Sequence, residues 1–158
     1  MEDVEAILAR AKQRALEKKL PYTGALLPKE VFALLKEVPG ATLVDVRTQA
    51  EWYWVGRVPG AVTVEWSAYP GGARNPDFLG QLQAAVPVTD APVMFLCRSG
   101  QRSHHAAAQA TSAGYPNCFN VLEGFEGDRD TLGHRNTVGG WRAAAWWSPS
   151  LPPPMPAE

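Results

Sequence analysis

The chain has little cysteine, two residues in 158, Cys97 and Cys118. Neither stands in a C-x-x-C pattern, which argues against a thioredoxin-type pair and a thiolate zinc site. An excess of one charge is missing too. Fifteen Lys and Arg face sixteen Asp and Glu, a formal net charge of −1. A general nucleic-acid binder would need a large basic excess, so none is expected. No apolar run approaches the ~20 residues that span a bilayer, and no membrane partner is expected. The opening MEDVEAILARAKQRALEKK is charged throughout. It does not read as a signal peptide, so a cytoplasmic location, where thiols stay reduced, is the expectation. One local absence stands out: from Ala91 to Leu122 there is no Asp or Glu.

What is present reads as alternating helices and strands. Residues 2–19 carry Val4, Ile7, Leu8, Ala11, Ala15 and Leu16 on helical spacing. Pro28 suits the first turn of a second helix, and Pro39-Gly40 stops it. ATLVDV, 41–46, is a short apolar run typical of a buried strand. Thr48-Gln49-Ala50-Glu51 has the form of a capping box and predicts a short helix over about 49–55. AVTVEW (61–66), PVMFLC (92–97) and CFNVLE (118–123) read as further strands. FLGQLQAAV (78–86) and SHHAAAQATSAG (103–114) read as helices. The segment from Gly124 is rich in glycine and tryptophan and reads as irregular, and residues 149–158 read as a proline-rich flexible tail. Residues 1–22 form an N-terminal helical extension, and 23–148 make one domain. The alternation predicts an α/β layered fold with a mainly parallel sheet.

The stretch FLCRSGQRSHH, residues 95–105, carries the chemistry. An apolar strand runs into Cys97, and a polar loop leads from it straight into a helix. Such a loop can turn several backbone N–H groups toward one point, and the helix N-terminus adds partial positive charge. Arg98 and Arg102 add two full charges, and no acid nearby in sequence cancels them. The nearest anion is the thiolate of Cys97 itself. Free thiols ionise near ~8.5, and cations at a helix N-terminus favour the ionised form. Cys97 therefore reads as a nucleophile in a cationic cradle, with Arg98, Ser99, Gly100, Gln101, Arg102 and Ser103 as the substrate-binding loop.

A cysteine in an anion cradle can attack phosphorus or sulfur. Cysteine-based phosphate-ester cleavage uses a C-x5-R loop. Here four residues separate Cys97 from Arg102, and Ser103 stands where that arginine would be. The loop is one residue short for phosphoryl chemistry, and a sulfane sulfur needs less room.

Three segments resemble the rhodanese family of sulfurtransferases, over roughly Leu27 to Trp141. LVDVRTQAEWYWVGRVPGAV is similar to the family's first signature, CRSGQRS to its six-residue active loop, and GYPNCFNVLEGFEGD to the segment around its last strand. The resemblance implies a rhodanese-like three-layer fold and a persulfide on Cys97. Backbone N–H groups from Arg98 to Ser103 would hold the thiolate or persulfide, and Arg98 and Arg102 the sulfonate. A small sulfur donor such as thiosulfate, with cyanide, a thiol or a protein as acceptor, would be the partner. No metal and no organic cofactor is implied. Arg57 in place of the frequent histidine, and Glu123-Gly124-Phe125 in place of the usual double glycine, are departures expected not to touch the cysteine.

Asp45 and Arg47 are expected to form a structural ion pair near the sheet edge. His104 and His105 read as partly exposed helix residues, and Cys118 as core. Most of the six tryptophans should be packing, with Trp146-Trp147 capping the core or forming a contact surface. The alternative function is a rhodanese-like binding or regulatory module, or a sulfur carrier without thiosulfate turnover.

Overall fold

A computed structural model describes residues 3–68, 71–145 and 147–148. Along the chain come α1 (Val4–Lys18), β1 (Gly24–Leu26), α2 (Pro28–Glu37), β2 (Thr42–Asp45), α3 (Gln49–Trp54), β3 (Val62–Thr63), α4 (Phe78–Ala85), β4 (Val93–Leu96), α5 (Gln101–Ser112), β5 (Cys118–Val121) and α6 (Trp141–Ala144). The tail at 149–158, and Trp146, lie outside the described residues.

Local chemistry sets several boundaries. Asp3 caps α1 by accepting the Glu5 N–H at 3.3 Å. Pro28 occupies the first turn of α2, where its missing N–H has no partner to lose. The capping box at α3 is formed: Thr48 Oγ1 accepts the Glu51 N–H at 3.2 Å, and the Glu51 carboxylate accepts the Thr48 N–H at 3.2 Å. β3 is shorter than AVTVEW suggests. Its backbone nonetheless stays bonded to β2 and beyond, through Val64 N–H to Asp45 and Trp66 N–H to Val46.

All five strands are parallel, in the order β1-β5-β4-β2-β3. Side chains alternate across β4, so Val93, Phe95 and Cys97 join one cluster and Met94 and Leu96 the other. The first cluster takes Phe78 and Leu82 of α4 and Ala106, Ala107 and Ala110 of α5. The second takes Ile7 and Ala11 of α1, Val31 and Leu34 of α2, and Trp141 of α6. The result is three layers. Burying each large apolar side chain contributes about 1.5–3 kcal/mol. Ile7 and Ala11 are fully buried, so α1 covers one face of the sheet as an integral part of that layer.

Two elements depart from the sequence expectations. β1 pairs with β5 at the sheet edge, in the stretch between the first two helices where no strand was expected. α6 lies in the segment that read as irregular, and Trp141 anchors it by being wholly buried.

Candidate active site

Cys97 directly follows β4, at the carboxyl end of a parallel sheet, where open α/β folds place their ligands. The loop after it is short because α5 begins at Gln101, two residues earlier than the alanine-rich pattern suggests. Arg102 and Ser103 therefore sit in the first turn of the helix. Gly100 makes the turn with φ of +110°, a conformation that L side chains rarely adopt. That conformation aims the Gly100 N–H at Cys97 Sγ, 3.0 Å away. Ser103 Oγ lies 3.2 Å from the same sulfur. Cys97 is 1% exposed, and with Arg98, Ser99, Gln101 and Arg102 it lines a hollow of about 240 Å³. A small anion entering there meets the sulfur, one exposed arginine and the N-terminus of a twelve-residue helix.

A model of the rhodanese-like domain matches residues 27–130. The chain belongs to the rhodanese family. It is 35% identical over 114 residues to an uncharacterized protein of Rickettsia conorii, covering 72% of this chain and 92% of that one. It is 31% identical over 104 residues to the thiosulfate sulfurtransferase GlpE of Pseudomonas entomophila, covering 66% of this chain and 83% of the relative. Among solved structures it resembles Rv0390 from M. tuberculosis, with a TM-score of 0.74 and 43% identity, over 80% of this chain and 98% of that one.

The rhodanese loop is less cationic than its sequence implies. Arg102 forms a two-pronged ion pair with Glu51, at 2.7 and 2.9 Å. Burial alone would raise the Glu51 carboxyl, but the Arg102 hydrogen bonds and charge outweigh it and hold the group below its ordinary range. Burial likewise works against the Arg102 charge, and Glu51 more than restores it. The acid comes from α3, 51 positions upstream, so a scan along the loop misses it. The T-x-x-E capping box did mark Glu51, but only as a helix start. Arg98 is the loop arginine without an acid partner among the described residues. It also lines an adjoining groove of about 420 Å³ with Glu51, Trp54, Ala68 and Arg102. Trp54 is 73% exposed there.

The departure at 123–125 does reach the cysteine. The Phe125 N–H donates to the Cys97 carbonyl at 2.8 Å, and the Glu126 N–H to the Arg98 carbonyl at 3.0 Å. Gly124, with φ of +64°, lies so close that a Cβ would sit 2.5 Å from the Arg98 carbonyl carbon. The segment after β5 thus braces the back of the active loop, and only glycine fits at its point of contact.

Asp45 and Arg47 form a fully buried ion pair at 2.7 Å. It lies at the end of β2, one strand in from the edge strand β3. Arg47 also donates to the Gly56 carbonyl at 2.9 Å and stacks 4.1 Å over the Phe125 ring. It ties α3 to the bracing segment and does not face the hollow. His104 is partly buried and His105 exposed. Cys118 is wholly buried at the start of β5, and burial pushes its thiol up to about 11. Trp147 packs edge-to-face on Phe125 at 6.0 Å.

A larger hollow, about 630 Å³, lies elsewhere, beside Arg10, Arg14, Glu30 and Glu123. Glu30 already binds both arginines, and no cysteine lines that hollow. Among the described residues no group of three or more His, Cys, Asp or Glu could hold a metal ion. No helix there is long and apolar enough to cross a membrane. Sequence reasoning missed Glu51, Tyr22 and Asn120 at this end of the sheet.

Proposed function

We propose that this rhodanese domain is a sulfurtransferase that moves the sulfane sulfur of thiosulfate, or of a similar donor, through a persulfide on Cys97. The observation that carries the reading is Cys97 Sγ at the hollow's wall, receiving the Gly100 N–H at 3.0 Å with Arg98 lining the hollow beside it. The Cys97 thiolate attacks the outer sulfur of the donor. The donor's S–S bond breaks, sulfite leaves with the electron pair, and Cys97 keeps the sulfur as a persulfide. Cyanide, a small thiol or a protein acceptor then attacks that outer sulfur, and the Cys97 thiolate is restored. Arg98 holds the sulfonate. Arg102 contributes through the N–H groups that Glu51 does not occupy, since a guanidinium carries five donors. The cycle uses no metal and no organic cofactor, and a reducing compartment such as the cytoplasm keeps Cys97 available.

The relatives named thiosulfate sulfurtransferase support the reading. The spacing of four residues between Cys97 and Arg102 favours sulfur over phosphorus. Steady-state transfer from thiosulfate to cyanide tests it. Saturable thiocyanate release is expected, abolished in Cys97→Ser and largely retained in Cys118→Ser. A folded protein that releases none, or one whose activity depends on Cys118, would leave a binding module as the better account.

A further inference from the structure

The Ser103 hydroxyl has one proton and two acceptors within reach. One is Asn120 Oδ1 at 2.5 Å, the other Cys97 Sγ at 3.2 Å. A hydroxyl donates once and accepts twice, so both contacts cannot be donations. Asn120 Oδ1 can only accept, so a 2.5 Å contact between the two oxygens needs the Ser103 proton, whereas the sulfur can donate or accept. With the proton given to Asn120, Ser103 can meet Cys97 only as an acceptor, and the cysteine must supply an S–H. With the proton turned to the sulfur, Ser103 stabilises a thiolate and leaves Asn120 Oδ1 without its donor. Asn120 is 4% exposed, so that loss falls on a buried carbonyl.

Asn120 is not free to turn over. Its Nδ2 donates to the Gly100 carbonyl at 3.1 Å, which can only accept. The Tyr22 phenol lines a small hollow beside it. Tyr22 in turn shares a 2.7 Å hydrogen bond with His104 Nδ1. Burial raises the Tyr22 phenol above its ordinary value, and burial with the neighbouring His105 lowers His104. Both are then neutral near pH 7. The Gly100 carbonyl fixes the Asn120 amide, and Oδ1 is held facing Ser103.

We propose that Asn120, held by the Gly100 carbonyl, is a positioning residue that competes with Cys97 for the Ser103 proton and so favours the protonated thiol in the sulfur-free protein. The thiol proton must leave for solvent before Ser103 turns. A persulfide carries its charge on the outer sulfur, so Ser103 can stay with Asn120 in the loaded state. The network therefore favours two resting forms, thiol and persulfide, over the bare thiolate. The inference rests on Cys97 as the nucleophile, but its test needs no sulfur donor.

The test is alkylation of the reduced protein by iodoacetamide at pH 7, together with the ultraviolet absorbance of the thiolate. Asn120→Leu, of similar size without the acceptor, should speed alkylation of Cys97 about tenfold and add thiolate absorbance, as expected when one charge-assisted hydrogen bond is freed. Asn120→Ala, which removes the same acceptor with a smaller side chain, should act in the same direction. Neither change should have an effect in a Ser103→Ala background. Unchanged or slower alkylation in these variants would overturn the proposal, because a loosened loop that withdraws the Gly100 N–H acts that way. An equal gain in the Ser103→Ala background would also overturn it, as mere opening of the site. If Asn120→Leu does not fold, Asn120→Ala decides alone. If these results hold while thiosulfate transfer is absent, only the functional reading falls.

Discussion

Cys97 and Cys118 stand on neighbouring strands and are both buried, at 1% and 0% exposure. Yet they sit at opposite ends of the sheet. Cys118 is in register with Val93, the first residue of β4, whereas Cys97 follows the last. Four residues at ~3.3 Å per residue put them about 13 Å apart along the strands, too far for a disulfide. At the amino end, the Cys118 sulfur meets apolar packing and the Tyr115 carbonyl at 3.8 Å, an acceptor that favours the thiol. At the carboxyl end, a left-handed glycine, a helix start and the exposed Arg98 converge on Cys97. Burial does not tell the two sulfurs apart here. The donors that the backbone aims at Cys97 do, and parallel strands supply them at one end only.

The sharpest way to break that contrast is to spoil the donors at the carboxyl end. One glycine inserted after Gly100 makes the spacing C-x5-R and moves the Gly100 N–H. Sulfur transfer should fall about 100-fold, the cost of donors placed ~1 Å wrong, with circular dichroism unchanged. Unchanged kinetics would mean that loop size does not select the chemistry.

The brace comes next. Gly124→Ala places a Cβ 2.5 Å from the Arg98 carbonyl carbon and strains a φ of +64°. Thermal unfolding should show a loss of about 1–3 kcal/mol, with transfer reduced in the protein that remains folded. A neutral result would separate the segment after β5 from the active loop.

Arg102 sharpens the account of charge. Arg102→Ala should raise the KM for thiosulfate about tenfold, the value of one charge-assisted hydrogen bond. Glu51→Gln, which releases Arg102, should lower that KM. Equal KM values in both variants would make the pair purely structural.

At the other end of the sheet, a smaller effect is expected, and its sign follows from burial. The Cys118 thiol is held up to about 11 in the folded chain. Below ~8.5 both folded and unfolded chains keep the proton, and this residue adds no pH dependence. Above that, only the unfolded chain ionises, so stability falls as pH rises toward 11. Denaturant titrations should show about 1–2 kcal/mol of loss by pH 10, absent in Cys118→Ser. A loss of the same size in that variant would assign it to another group.

Much of this was legible in the sequence because it depends on short-range patterns. PVMFLC announces a buried strand, and the polar loop after it announces a site at the strand's end. The long-range terms were not legible. Glu51 neutralises Arg102 from another helix, and no spacing rule brings 51 and 102 together. β1 has three residues and starts with glycine, so it carries too little side-chain pattern to read. Asn120 did leave a signal. It is a polar side chain inside CFNV, a strand buried along its whole length, and such a residue must find partners. Its partners, Ser103 and the Gly100 carbonyl, are both in the active loop.

The most direct measurement of the central claim is the mass of the reduced protein after exposure to thiosulfate, followed by peptide mapping without reductant. The account predicts a gain of one sulfur atom, carried by the peptide containing Cys97, with the Cys118 peptide unchanged. A sulfur on Cys118, or no gain in a folded protein whose Cys97 still reacts with iodoacetamide, would contradict it.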